Sequence, residues 1–183
     1  RWAADILADL DALLEAANVP GPYLLVGTST GGQFATYHAL QHPDRTAGLV
    51  ILDSDWISTD PAEDLFQSVL SPEEYADFVG DGDHWDDPEN VEHIDAAATI
   101  REIEAALHPL PGVPVRILTA TRADGCPPEW PCARLLERSI ELQGMWKTLG
   151  PDAVQVLVNS AHAMHDEVPD VVVSEILLAL ARR

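Results

Sequence analysis

Four short stretches of the chain are apolar at nearly every position: Tyr23 to Val26, Gly48 to Leu52, Val113 to Leu118 and Val154 to Val158. A strand with one solvated face alternates apolar and polar residues. Unbroken runs therefore predict strands buried on both faces, as in a parallel sheet covered by helices. Between these runs the apolar residues return at helical spacing. Ile6, Leu7, Leu10, Leu13 and Leu14 predict a helix that continues through Asn18, and similar patterns predict helices over Gln33 to Gln41, Ala133 to Leu149 and Pro169 to Arg182. Strand alternating with helix implies a doubly wound or related α/β sheet.

One connection breaks the rhythm. Ser54 to Gly112 is far longer than a crossover made of one helix and short loops, and it carries two helical patterns of its own, Pro61 to Val79 and Glu89 to Leu107. The expected organisation is a core formed by residues 1–53 and 113–183, with a helical cap or lid inserted at 54–112.

Composition narrows the partners. At 183 residues and 46% hydrophobic content the chain suits one domain with a real core. Its 31 acidic and 10 basic residues give a formal charge of -21, which argues against nucleic-acid backbones and anionic membranes as partners. No apolar stretch reaches the roughly 20 residues that span a bilayer. Cys126 and Cys132 stand in the proline-rich stretch GCPPEWPC, where a local disulfide or two reduced thiols are both compatible with the spacing. The first would suit a secreted protein and the second a cytoplasmic one.

The first apolar run leads into LLVGTSTGGQF, in which Gly27, Ser29 and Gly31 form G-x-S-x-G. Three common residues in this pattern are weak evidence alone. A buried strand leading in and a helix leading out supply the setting of a nucleophile elbow, a tight turn that raises a serine hydroxyl above the sheet. Small residues at Gly27 and Gly31 are expected to let the backbone pack closely, and the helix N-terminus favours developing negative charge. A phosphate-binding turn fits less well: the lysine of a P-loop is missing and G-x-G-x-x-G is absent. An idle glycine-rich turn is the remaining alternative.

The stretch GPYLLVGTSTGGQFATYHALQHPDRTAGLVILDSDW resembles the fifth strand, elbow, helix and sixth strand of the α/β-hydrolase superfamily, especially its bacterial esterase-like members. VLVNSAHAMHDEVPDVVVSEILLAL resembles its last strand, histidine loop and final helix. The resemblance implies a partial α/β-hydrolase fold and a serine, acid and histidine triad in that chain order, with Ser29 as nucleophile. His162 follows the last strand where the family places its base, although Ala161 replaces the usual glycine; His165 is the fallback. His38 and His42 are expected at the surface, and His84, His93 and His108 fall in the insertion. Two acids compete. Asp124 follows the seventh strand, the family's usual position, and is the first choice. Asp53 ends the run GLVILD after the sixth strand, where a minority of the family carry the acid, and is the alternative.

Thr30 is expected to give its backbone N–H to the oxyanion. The second donor should come from a loop after the family's third strand, which would lie upstream of Arg1. The first strands of the family fold are thus expected to be absent from this sequence, leaving Tyr23 to Val26 as an apolar edge that a missing N-terminal segment or self-association would cover.

These expectations describe a serine hydrolase that cleaves a carboxylic ester or related acyl bond, acts on a small acyl substrate and uses no cofactor or metal. Amide, lactone and thioester substrates stay open, as does acyl transfer. The alternative is a catalytically incompetent or purely binding member of the fold. Trp56, Phe66 and Trp85 are candidates for an acyl pocket or simply for the core of the insertion. Asp81, Asp83, His84, Asp86 and Asp87 lack the full spacing of a calcium loop and its closing glutamate, so a solvated turn explains them better.

Overall fold

Strands β1 (Tyr23–Thr28), β2 (Thr46–Leu52), β3 (Val115–Ala120) and β4 (Val154–Val158) form a parallel sheet in the order β1-β2-β3-β4. The structure, a computed structural model, describes residues 1–80 and 91–181. Asp81, Asp83, His84, Trp85, Asp86 and Asp87 lie outside the described residues. Parallel strands need crossovers, and these carry α2 (Thr30–Gln41) between β1 and β2, α3 (Pro72–Gly80) and α4 (Ala96–Ala106) between β2 and β3, and α5 (Cys132–Gln143) between β3 and β4, while α1 (Ala3–Ala16) precedes the sheet and α6 (Met164–Glu167) and α7 (Pro169–Ala181) follow it.

Two of the four apolar runs have the origin their pattern predicts, whereas β1 and β4, at the sides of the sheet, are mostly half-buried. Every residue of β2 and β3 is buried. Successive side chains point to opposite faces, so Leu49, Ile51, Val115 and Ile117 enter one core while Val50, Leu52, Leu118 and Ala120 enter the other. The first core is shared with α1, α2 and α4 through Ala3, Tyr37, Leu40 and Ile103. The second is closed by Met164 of α6 and by Val172 and Ala179 of α7. β1 and β4 are the outer strands, and each leaves one large apolar side chain exposed, Val26 and Leu157.

Element ends follow local chemistry. Pro72 opens α3, and Ser71 with Glu74 closes a reciprocal cap: the Ser71 N–H donates to Glu74 Oε2 at 2.7 Å, and the Glu74 N–H donates to Ser71 Oγ at 3.3 Å. The helical pattern expected from Pro61 begins only there, and residues 61–71 run through turns. α4 starts at Ala96 because Asp95 Oδ1 accepts from the Ala98 N–H at 2.8 Å. The single helix expected over Ala133 to Leu149 breaks at Gly144 into a 3-10 turn that buries Trp146 and Leu149. β3 begins two residues later than expected, because Pro114 has no N–H for the ladder; its carbonyl still accepts from Leu49 at 2.9 Å.

His38 departs from its expected surface position. It is fully buried, on the part of α2 that faces α1 and the start of β1, with its ring edge-on to Tyr23 at 5.9 Å between centroids. Burial holds its pKa below the ordinary imidazole value, against the opposing pull of Asp11.

A buried ion pair fastens α7 to the central sheet. Arg116 on β3 gives its Nε–H to Glu175 Oε2 at 2.6 Å, and a second guanidinium nitrogen meets the same oxygen. Both side chains are almost wholly removed from water. Deleting one partner leaves the other charge buried, which costs about 3–5 kcal/mol in comparable sites. Glu175→Ala should therefore lower the unfolding free energy in urea by about 3 kcal/mol; a loss below about 1 kcal/mol would mean that the pair behaves as a solvated surface contact.

Candidate active site at the carboxyl edge of the sheet

In a parallel sheet all carboxyl ends lie on one edge, the usual place for ligands in open α/β folds. Here Thr28 pairs with Leu52 and Leu52 with Leu118, while Ala120 pairs with Val158. Residues just beyond these positions therefore gather on that edge: Ser29 after β1, Asp53 after β2, and the loop that carries His162 after β4.

Ser29 occupies the turn between β1 and α2 with φ 53° and ψ -130°, a conformation that L-residues rarely adopt. Its backbone N–H donates to the Leu52 carbonyl at 2.9 Å, and its own carbonyl accepts from Gly32 at 2.8 Å. The glycines divide the work differently from the motif's expectation. A Cβ on Gly27 would stand 2.2 Å from the Gly31 carbonyl oxygen, and one on Gly32 would stand 2.7 Å from Ser54 Cβ. A Cβ on Gly31 would meet nothing within 4 Å. Close approach is thus required at Gly27 and Gly32. Thr30 is the first residue of α2, so its N–H has no intrahelical carbonyl to bond.

Asp53 is also left-handed, with φ 42°, and its backbone N–H donates to Leu118 O at 2.8 Å. Its side chain is mostly buried. Oδ1 accepts from the Ala120 N–H and from Gln143 Nε2, each at 3.0 Å, and Oδ2 accepts from His162 Nδ1 at 2.7 Å. A carboxylate can only accept, so the neutral His162 imidazole carries its proton on Nδ1 and leaves Nε2 bare.

Asp124, the first choice from strand order, lines the same cavity as Asp53 and His162 but bonds to neither. Its carboxylate is exposed and gripped by Arg122, with Nε at 3.1 Å. Arg122 also holds Glu167, and Glu167 in turn accepts from the Ala161 N–H at 3.2 Å. These contacts tie the loop that carries His162 to Arg122. His165 is exposed beside Asp166, and His108 sits against the Leu40 carbonyl. Gln143 and Asp55 belong to the site although no sequence pattern marks them. Burial first, and the charge of Asp53 second, push the Asp55 carboxyl up to about 6, while Gln143 and His162 pull it back.

A cavity of about 340 Å³ opens beside Asp53 and His162. Phe66, Trp130, Leu135 and Leu136 give it an apolar wall, and Cys126 and Cys132 line it as well. Those cysteines are joined as a disulfide. Trp56 packs instead against Trp146, 4.9 Å between ring centroids, and donates to Glu63 at 3.1 Å. No helix among the described residues is long and apolar enough to cross a membrane.

Solved structures share this architecture at low identity. A marine microorganism esterase superposes with a TM-score of 0.54 at 16% identity, covering 98% of this chain and 77% of that one. A lipolytic enzyme of the metagenome-derived LipS and LipT pair gives 0.59 at 18% identity, with coverage of 100% and 75%. The Paleococcus ferrophilus monoacylglycerol lipase gives 0.55 at 15% identity, with coverage of 100% and 77%. No curated protein sequence is significantly similar to the chain. Residues 2–106 match the sequence profile of the alpha/beta hydrolase fold, and with four parallel strands forming part of that fold the chain belongs to the α/β-hydrolase family.

Proposed function

We propose that the protein is a serine hydrolase that cleaves a carboxylic ester or related acyl bond through an acyl-enzyme, with Ser29 as nucleophile, His162 as base and Asp53 as the acid. The observation that carries this reading is the 2.7 Å contact between His162 Nδ1 and Asp53 Oδ2 on the edge where Ser29 sits strained in its turn. His162 Nε2 takes the hydroxyl proton as Ser29 Oγ bonds to the acyl carbon. The same proton then passes to the departing alcohol as the C–O bond breaks. Water repeats the sequence, and the acid leaves. Asp53 keeps the imidazole in the needed tautomer and stabilises its cation. The Thr30 N–H, at the positive end of α2, faces the oxyanion.

Asp53 is preferred to Asp124 because its other oxygen is fixed by Ala120 and Gln143, whereas Asp124 is already spent on Arg122. The apolar cavity supports an acyl chain as its occupant. Residues 61–71 and the start of α5, which share Val69, Leu70 and Leu135 in a small separate core, are read as its lid. α4 belongs to the main helical layer through Ile103. The disulfide favours an oxidising compartment.

A fluorophosphonate probe should label the protein, and Ser29→Ala should abolish labelling; unchanged labelling in that variant would remove Ser29 from the chemistry. In the same assay of ester turnover, Asp53→Asn should cost about 10⁴-fold in kcat, and Asp124→Asn less than about tenfold. The reverse order would return the acid role to Asp124.

Asp55 gives a pH signature. Its folded pKa, about 6, exceeds the 3.8 of the free group, so the folded state holds the proton more tightly and stability falls as pH rises through that window. The full difference is about 3 kcal/mol. Asp55→Asn should therefore become more stable relative to the parent protein by about 2–3 kcal/mol between about pH 4 and pH 7 in denaturant titrations. A pH-independent difference would show that Asp55 is not strained by burial.

A further inference from the structure

At the opposite end of α2 from Ser29, three metal-binding side chains converge. His38 and His42 are four residues apart on the helix and its C-cap, and so lie on one face. Both direct Nε2 at the same carboxylate, Asp11 of α1: His38 to Oδ1 at 3.6 Å and His42 to Oδ2 at 3.1 Å. One ligand atom from each of the three falls within 4.8 Å of the others. A tetrahedral zinc ion with ligands at about 2.0–2.1 Å needs ligand-to-ligand spacings of about 3.3 Å.

A second observation points the same way. His38 is completely buried, yet neither ring nitrogen has a hydrogen-bond partner, and its Nε2 stands 3.6 Å from Asp11 Oδ1. A buried polar group without a partner is unfavourable, and such groups call for an explanation such as an ion. We propose that Asp11, His38 and His42 bind a divalent transition-metal ion of the zinc type that ties α1 to the far end of α2. The remaining coordination position goes to water, since Asp11 and His42 are each only partly buried.

Arg45 is the competing cation. Its Nη1 donates to Asp11 Oδ1 at 3.0 Å, and Nη2 donates to the Tyr23 hydroxyl at 3.2 Å, with the guanidinium over the Tyr23 ring. With metal bound, Arg45 becomes the outer partner that orients the ligating carboxylate. The formal charge of -21 offsets the added positive charge. The site is separate from the proposed catalytic edge: His38 is nine residues beyond Ser29 on the same helix, about 13 Å away along its axis.

Zinc chloride titrated calorimetrically into chelator-treated protein at neutral pH should bind at one equivalent and raise Tm. Asp11→Asn and His42→Gln should each weaken binding by more than about 100-fold, beyond the loss typical of outer-shell changes, while His162→Gln leaves it unaltered. Cobalt(II) in the unmodified protein should give the visible absorption of a tetrahedral site, a readout that does not depend on how the variants fold. Absence of saturable binding at one equivalent would overturn the proposal and leave Arg45 as the cation of Asp11. Equal affinity in the Asp11 and His42 variants would overturn it too.

Discussion

A single carboxylate holds the carboxyl edge of this sheet in register. Asp53 receives the backbone of β3 through Ala120, the side chain of α5 through Gln143 and the histidine loop after β4 through His162, while its own N–H returns to β3 at Leu118. Four hydrogen bonds from one residue fix its left-handed backbone, a conformation that costs free energy wherever surrounding contacts do not compel it. The geometry of His162, an exposed loop residue, is thus set by a mostly buried neighbour two strands away.

The same economy appears at Ser29. The turn is held by Leu52, the residue immediately before Asp53, so the end of β2 positions both serine and carboxylate. Gly27 and Gly32 permit the approach of strand, turn and the loop at Ser54. The Arg116 and Glu175 pair secures the opposite face of the sheet, where α7 covers Val50 and Leu118. Rigid layers on both faces leave the edge as the place where irregular backbone and polar groups can serve chemistry.

The strands and the turn at Ser29 between β1 and α2 were legible because their signals are local: apolar runs such as Val154 to Val158 and the glycines around Ser29 depend on neighbours in the chain. The hydrogen-bond partners that set Asp53 apart from Asp124 were not, since they include Gln143, ninety residues from Asp53, and Arg122, whose grip on Asp124 no spacing announces. Gly31 belongs to the motif but Gly32 makes the contact, because the close neighbour is Ser54, on another strand's end. His38 looked like a surface residue for the same reason. Its burial comes from α1 and Tyr23, and helical periodicity in the short α2 does not reveal a second layer packed outside it.

The tautomer of His162 tests the central pairing most directly. Nitrogen-15 shifts of the imidazole, measured above its titration range, should report Nδ1–H with a bare Nε2 in the parent protein and in Asp124→Asn. Asp53→Asn should lose that preference and drift toward the Nε2–H form that free imidazole favours. A tautomer that survives Asp53→Asn and is lost in Asp124→Asn would contradict the account, because Asp53 would then not be the group that orients His162.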